Sequence, residues 1–412
     1  MDAGLRPGLR GALSRFAARR AVRLLLLGHA AALSLLRVLV PARPAGRRGA
    51  LEVLLTGTFH SDNWAAAHLR PLAASSRVAR VRVVATFPLA PRDKVELVRP
   101  PAWLVRAAGP VGARLLVFLW TAATSRPDVV GGFHLLVNGL VAQLGAALAG
   151  ARSLYFCVGG PAEVADGGIG GENRLFSRLE TADAVVERRL LAAVRSFDLV
   201  VTMGEGAARF FKERAGPAAI RVVPGGIDGA RFRPGPAPPS RDLVLASRLV
   251  PIKRIDVFLR ALARLAQTNP GVTAAVAGDG PLRSELEALA RELALEGRVQ
   301  FLGPSTAVEE ELRKSRVFVL SSDSEGLPLS VMEAMMCGLP AVVSDVGDLP
   351  DLVEDGVIGF RVARRDPEAL ASRLQCLLAD QGRLEEFRAA ALRTAARHEL
   401  AATTRLWDAI LD

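Results

Sequence analysis

Cysteine is scarce in this chain. Cys157, Cys337 and Cys376 are scattered over 412 residues without CxxC spacing, which argues against a disulfide framework or a zinc site and fits a reducing compartment. A membrane-spanning run is missing from the N-terminal segment as well. Residues 21–40 are apolar but interrupted by Arg23, Gly28, His29 and Arg37, and the clean stretch between the two arginines is 13 residues, short of the ~20 that a bilayer requires. No small-x-small cleavage site ends the run. Acidic residues are almost absent from the same region: residues 1–50 hold ten arginines and one acid, Asp2, and so carry nine of the eleven net positive charges. The rest of the chain is nearly neutral, which speaks against nucleic-acid binding. Signal peptide, mitochondrial-type transit peptide and disordered extension are all open readings of this segment. The one carried forward is an in-plane helix within residues 1–49 that holds a cytoplasmic protein peripherally at an anionic membrane surface through residues 1–48.

Beyond that segment, half of the residues are apolar, glycine is abundant, and the length suffices for two domains with full cores. Leu51–Thr56, Val81–Thr86, Asp128–Val130, Leu154–Val158, Phe197–Thr202 and Ile220–Val223 have the apolar, β-branched look of buried parallel strands, with helical patterns between several of them. Ala102–Trp120 is an apolar helix carrying Arg106 and Arg114, open to either a core or a lipid-facing position. Residues 233–241, RPGPAPPSR, hold four prolines and form the expected linker. After them the alternation restarts, with strands at Leu243–Ala246, Ala274–Ala277, Val299–Phe301, Val317–Leu320 and Ala341–Ser344. The expected fold is α/β, two doubly wound Rossmann-like domains over residues 50–235 and 236–382 facing across a cleft. Residues 383–412 form a helical segment that returns toward the first domain.

Candidate chemistry follows the strand ends. In Ser321–Pro340, SSDSEGLPLSVMEAMMCGLP, a glycine-bearing loop feeds a helix N-terminus, whose free N–H groups suit a phosphate. Glu325 and Glu333 flank it; carboxylates repel phosphate, so their fitting partners are hydroxyls further along the same ligand. Such a cradle suits a nucleotide sugar. Arg248 and Lys253, five apart on one loop, suit a diphosphate. Asp279 lies between Gly278 and Gly280, which permit close backbone approach, and Gly303 is placed to lie under a base. Gly57 ends the first strand, at the sheet edge where α/β ligands bind. Glycines 167, 168, 170 and 171 precede Glu172 and Asn173 in a further glycine-rich loop. No acid and base pair placed for hydrolysis is evident.

The segments ASRLVPIKRID, VAGDGP, VQFLG, SEGLPLSVMEAMMCGLPAVVSDVGDLPDLVEDGVIGF and VVPGGIDGARFRP together resemble the family 4 glycosyltransferases, retaining enzymes of the two-domain GT-B type with an E-x7-E motif. The resemblance is dense over about 220–365 and looser from about 50. It implies sugar transfer from a nucleoside diphosphate sugar, with no further cofactor and no metal, to a lipid-linked, glycolipid or polysaccharide acceptor. By resemblance Arg248 and Lys253 hold the donor diphosphate, Glu325 contacts the transferred sugar and Glu333 takes ribose hydroxyls. The backbone of Gly326, Leu327, Pro328 and Leu329 meets phosphate or sugar. Where many members carry a histidine after the strand at Leu154–Val158, this chain has CVGGPAEV; His134, one strand earlier, or Glu163 would take that role. Gly225 replaces the usual asparagine, and Arg254 a common glycine. A non-catalytic nucleotide-sugar-binding protein and a sugar-nucleotide epimerase of the same architecture are the competing readings.

Overall fold

A computed structural model describes residues 7–43, 49–59, 61–169, 176 and 181–412. Gly170, Gly171, Glu172 and Asn173 of the glycine-rich loop, and Arg6, Arg47 and Arg48 of the basic segment, lie outside the described residues. The chain divides into two compact units, Met1–Val223 with Thr404–Asp412, and Pro224–Thr403.

The first unit is built on seven parallel strands: β1 (Leu51–Thr56), β2 (Val78–Val84), β3 (Val95–Val98), β4 (Val129–Phe133), β5 (Arg152–Cys157), β6 (Leu199–Thr202) and β7 (Ile220–Val222). Their order is β3-β2-β1-β4-β5-β6-β7. One face of the sheet, with Val53, Leu55, Phe133, Phe156 and Val201, packs on the helix Asp62–Ala74 and on Trp407 and Leu411 from the end of the chain. The other face, with Leu54, Val130 and Tyr155, is covered by Ala102–Ser125, Leu140–Ala149, Ala184–Arg195 and the long helix Pro7–Leu39, which inserts Val22 and Leu26. Burial on both faces explains why these strands read as near-continuous apolar runs. The half-exposed edge strand β3 and the helix Ala184–Arg195 add to the elements expected from sequence. Strand order reverses between β1 and β4, so the loops leaving them diverge and open a crevice at their C-terminal ends. Gly57 and His134 stand at that edge.

The second unit repeats the plan with β8 (Arg241–Ala246), β9 (Ala274–Ala277), β10 (Val299–Gly303), β11 (Ser315–Leu320), β12 (Ala341–Ser344) and β13 (Gly359–Val362), ordered β10-β9-β8-β11-β12-β13 and all parallel. Here the order reverses between β8 and β11. The proline-rich segment 233–241, expected as the linker, lies inside this unit. Arg313 donates to the carbonyls of Arg231 and Arg233, and the N–H groups of Ser240 and Arg241 both bond to Lys314 O at 2.9 Å. The segment is thereby tied to the sheet it leads into. The expected C-terminal segment divides: the helix Gln381–Ala395 packs on Leu329–Met336 within the second unit, and residues 404–412 rejoin the first.

Candidate active site

Two loops of the second unit meet at the β8/β11 reversal. After β8 the chain makes a short turn, Pro251–Lys253, and Arg254 adopts a left-handed conformation (φ 48°) that ends it. After β11, the Ser321 hydroxyl donates to the carbonyls of Lys253 (3.2 Å) and Arg254 (2.9 Å), and Asp323 N bonds to Ile252 O at 2.8 Å. These bonds fix the β8 loop against the β11 loop. The Lys253 ammonium donates to both Glu325 oxygens, at 2.6 and 2.9 Å, and the Ser322 hydroxyl donates to Oε1. Both ionic side chains are largely buried. Arg248 lies half-buried on the same β8 loop. The loops after β9 and β10 join in: Leu249 N bonds to Asp279 O at 2.9 Å, and Gly278 N to Gly303 O at 2.8 Å. Arg248, Lys253, Asp279, Gly280, Gly303 and Glu325 to Leu329 thus share one end of one sheet.

The helix Leu329–Met336 begins after Pro328 with no side-chain cap, so its first N–H groups and the positive end of its dipole face outward. Gly347 explains how the approach to it is held open. With φ +58° its Cα lies so close to the Glu325 carbonyl that a Cβ would stand 1.9 Å from that oxygen. Gly347→Ala is expected to displace the 325–326 backbone, costing about 1–3 kcal/mol of stability, which a melting curve checks.

Glu333 lies on that helix with 9% of its surface exposed. No hydrogen bond or ion pair to its carboxyl is found among the described residues. Burial pushes the carboxyl up to about 8; Arg231 opposes this and Glu309, itself held by Arg231 at 2.8 Å, adds to it. A buried, unpartnered carboxyl is costly, and hydroxyl donors from a ligand would satisfy it.

At the β1/β4 edge of the first unit, His134 and Glu163, alternatives in the sequence, are joined. His134 Nδ1 lies 3.1 Å from Glu163 Oε1. The Glu163 carboxyl also accepts from Leu135 N (2.6 Å), Gly159 N (2.7 Å) and the Tyr155 hydroxyl (2.9 Å). Burial alone would raise this carboxyl, but His134 and the backbone donors outweigh it and hold the group below its ordinary range. His134 itself has φ 63°, and Val137, three residues on, has φ 73° and ψ −58°, a sparsely populated conformation for a β-branched residue. The expected helix from Leu135 accordingly starts with an irregular turn and becomes regular only at Leu140. Strain of this kind gathers where a side chain must be aimed. Trp64 stacks parallel to the His134 ring at 6.3 Å.

Arg114 was not anticipated here. Buried among apolar neighbours, it donates to Gly57 O and to Asn138 Oδ1 (2.8 Å), while Asn138 Nδ2 donates to Phe133 O (2.8 Å). Burial brings the guanidinium down to about 10. The network pins Gly57 and the β4 exit together. Its signal in the sequence was an arginine, one of two with Arg106, within an apolar helical pattern.

Known proteins resemble the chain in both sequence and fold. It is 33% identical over 202 residues to an exopolysaccharide phosphotransferase of Streptomyces coelicolor, covering 48% of this chain and 21% of the relative. It is 31% identical over 164 residues to a subunit of the phosphatidylinositol N-acetylglucosaminyltransferase of Arabidopsis thaliana, covering 39% and 36%. The chain thus spans well under half the length of these two relatives. Among solved structures, Anabaena HepE in complex with UDP-glucose shares the fold, with a TM-score of 0.69 at 20% identity, over 88% of this chain and 99% of that one. Residues 228–394, which contain Arg248, Lys253, Asp279, Gly303, Glu325 and Glu333, match the family of glycosyl transferases group 1.

Proposed function

We propose that the protein is a retaining glycosyltransferase of family 4 that moves a sugar from a nucleoside diphosphate sugar to a lipid-linked, glycolipid or polysaccharide acceptor. One observation carries the reading: the paired Lys253 and Glu325 stand beside an uncapped helix N-terminus at a strand-order reversal, inside the segment that matches the family. The donor diphosphate takes Lys253 and Arg248 as counter-charges and the N–H groups of Leu329 and its neighbours as donors. Glu325, released in part from Lys253, accepts from hydroxyls of the transferred sugar, and Glu333 from those of the ribose. The bond between the sugar's anomeric carbon and the diphosphate oxygen breaks, and the acceptor oxygen bonds to the same face of that carbon. The acceptor proton passes to the departing diphosphate. Charge building on the leaving group is neutralised by Lys253, Arg248 and the helix end, an electrostatic strategy that assigns no role to a metal. His134, aimed by Glu163, belongs to the acceptor side. The names of the two relatives motivate the acceptor class, and the basic N-terminal segment motivates a peripheral position on the cytoplasmic membrane face.

Incubating the full chain with a panel of nucleotide sugars, anionic lipid vesicles and saccharides should release nucleoside diphosphate. His134→Ala should lower turnover roughly 10²–10⁴-fold with donor affinity unchanged, and Glu325→Ala should abolish turnover. Undiminished turnover in the Glu325 variant would remove the assignment. A second reading, a binding protein that does not transfer, is favoured by the absence of a histidine in the β5 exit, CVGGPAEV. UDP binding without turnover on any acceptor would select it.

A further inference from the structure

The helices Pro7–Leu39, Ala102–Ser125 and Leu140–Ala149 contain no acidic residue. The third packs against both of the others. Each turns a different stripe to the core and to the outside. Val22, Leu26 and Leu33 are buried, whereas Leu24, Leu27, Leu35 and Val38, at helical spacing on the opposite side, are exposed. In Ala102–Ser125, Ala113, Arg114, Phe118 and Ala122 are buried, whereas Trp103 (63%), Val111, Leu116 and Trp120 (72%) are exposed. Between them, the outer positions of the third helix, Val141, Leu144, Ala147 and Leu148, are all apolar and half-buried, and its only polar side chain, Gln143, is buried and bonded to Ala193 O and Ser196 Oγ.

Although the arginine-free stretch 24–36 is short, the whole helix Ala17–Leu39 is, like Ala102–Ser125, long and apolar enough to cross a bilayer by length and composition, which corrects the reading from sequence. Their fastening to the unit is of another kind. Arg23 forms an ion pair with the buried Asp183 at 2.9 Å, the His29 ring bonds to Leu140 O at 2.9 Å, and Arg114 lies inside the unit. A helix sewn along one side into a soluble core offers only its other side. What is left is a continuous apolar face without a negative charge, edged by exposed Arg20, Arg37, Arg106 and Arg126. Apolar faces of this extent mark interaction sites, and its cations select an anionic lipid surface.

We infer that Ala102–Ser125 is a second membrane-contacting helix, with Trp103 and Trp120 as interfacial anchors beside the leucine stripe of Pro7–Leu39. Tryptophan suits the headgroup layer because its ring is apolar and its N–H polar. Gly109 (φ 70°, ψ 166°) and Pro110 break the helix between the two tryptophans and let the Ala102–Ala108 part follow the surface at its own angle.

This inference rests on the membrane part of the proposed function and leaves the donor chemistry aside. The test uses the full chain with vesicles of phosphatidylcholine alone and of phosphatidylcholine with phosphatidylglycerol, some carrying brominated acyl chains. Truncation is unsuitable, because Val22, Leu26 and Leu33 belong to the core. Binding to the anionic vesicles, weakened by salt, with tryptophan emission quenched by the brominated lipid, is expected. The double variant W103S/W120S should lose affinity on the order of tenfold and lose most of the quenching. Thermal protection by UDP reports on the donor site separately and should be unchanged in that variant. No association with either vesicle, association untouched by W103S/W120S, or a concentration-dependent dimer that shields both tryptophans would overturn the inference.

Discussion

Lys253→Ala is expected to act on two readouts at once, stability and turnover. Lys253 and Glu325 are mostly withdrawn from water, with side-chain exposures of 16% and 7%. Removing the ammonium leaves the Glu325 carboxylate buried with, among the described residues, only the Ser322 hydroxyl to stabilise it. Breaking a buried pair from one side costs about 3–5 kcal/mol, far more than the pair's net contribution, because the remaining charge is stranded. Urea unfolding should show a loss at or somewhat below the low end of that range, as both groups keep some solvent. On the proposed function, the same change withdraws a fixed positive charge from the departing diphosphate, and release of nucleoside diphosphate should fall roughly 10²–10³-fold. Adding Glu325→Gln to Lys253→Ala separates the two effects, since it removes the stranded charge: stability should largely return and turnover should not. A Lys253→Ala protein with unchanged unfolding would show that the pair is dispensable to the fold, and unchanged turnover would remove Lys253 from the site.

Glu333→Gln should move stability the other way. The carboxyl is raised to about 8 by burial, against an ordinary value of 4.5. Between those two pH values the folded chain holds a proton that the unfolded chain has released. Stability therefore falls as pH rises through this window, from full strength below about 4.5 to its lowest level above about 8. Glutamine does not titrate, so the variant's advantage should be absent at low pH, grow through the window and level off above it. At about 1.4 kcal/mol for each tenfold change in proton affinity, and with a discount for solvent relaxation, the plateau is a few kcal/mol. On the proposed function, the same variant should bind UDP at least tenfold more weakly, because an amide replaces the carboxylate proposed to accept ribose hydroxyls. Stability gained where binding is lost is the signature of a group kept for a ligand. A melting difference that is flat from pH 5 to 8.5 would refute the buried, raised carboxyl.

The fold was legible in the sequence to the extent that its strands are buried on both faces. Leu51–Thr56, Ala274–Ala277 and Ala341–Ser344 were each found with the bounds they have in the structure. Val95–Val98 was missed because, as a half-exposed edge of four residues with Glu96 in it, it lacks the run that marks the others. Ala184–Arg195 did leave a signal, with Asp183 as cap and Val186, Leu190 and Val194 at helical spacing. The segment 233–241 looked like a linker because proline reports stiffness and not attachment; Arg313, some eighty positions away in sequence, fastens it. In the candidate site, each donor-side residue was visible as a polar or glycine position following a strand. Their pairing was not. That Lys253 reaches Glu325 depends on β8 lying next to β11, and that Glu163 reaches His134 depends on β5 lying next to β4. Sequence spacing does not encode strand order.

Trp407 and Leu411 fill the core of the first unit although the whole second unit is translated before them. During synthesis an N-terminal domain ordinarily folds before its successor emerges. In this chain the sheet face carrying Val53, Leu55 and Phe156 stays partly uncovered until the last helix leaves the ribosome. The second unit, continuous in sequence, can finish first. A chain whose synthesis ended at Thr403, once clear of the ribosome, would therefore hold a completed second unit joined to a first unit with an open apolar face, and it is the earlier half of the message whose product most needs a chaperone.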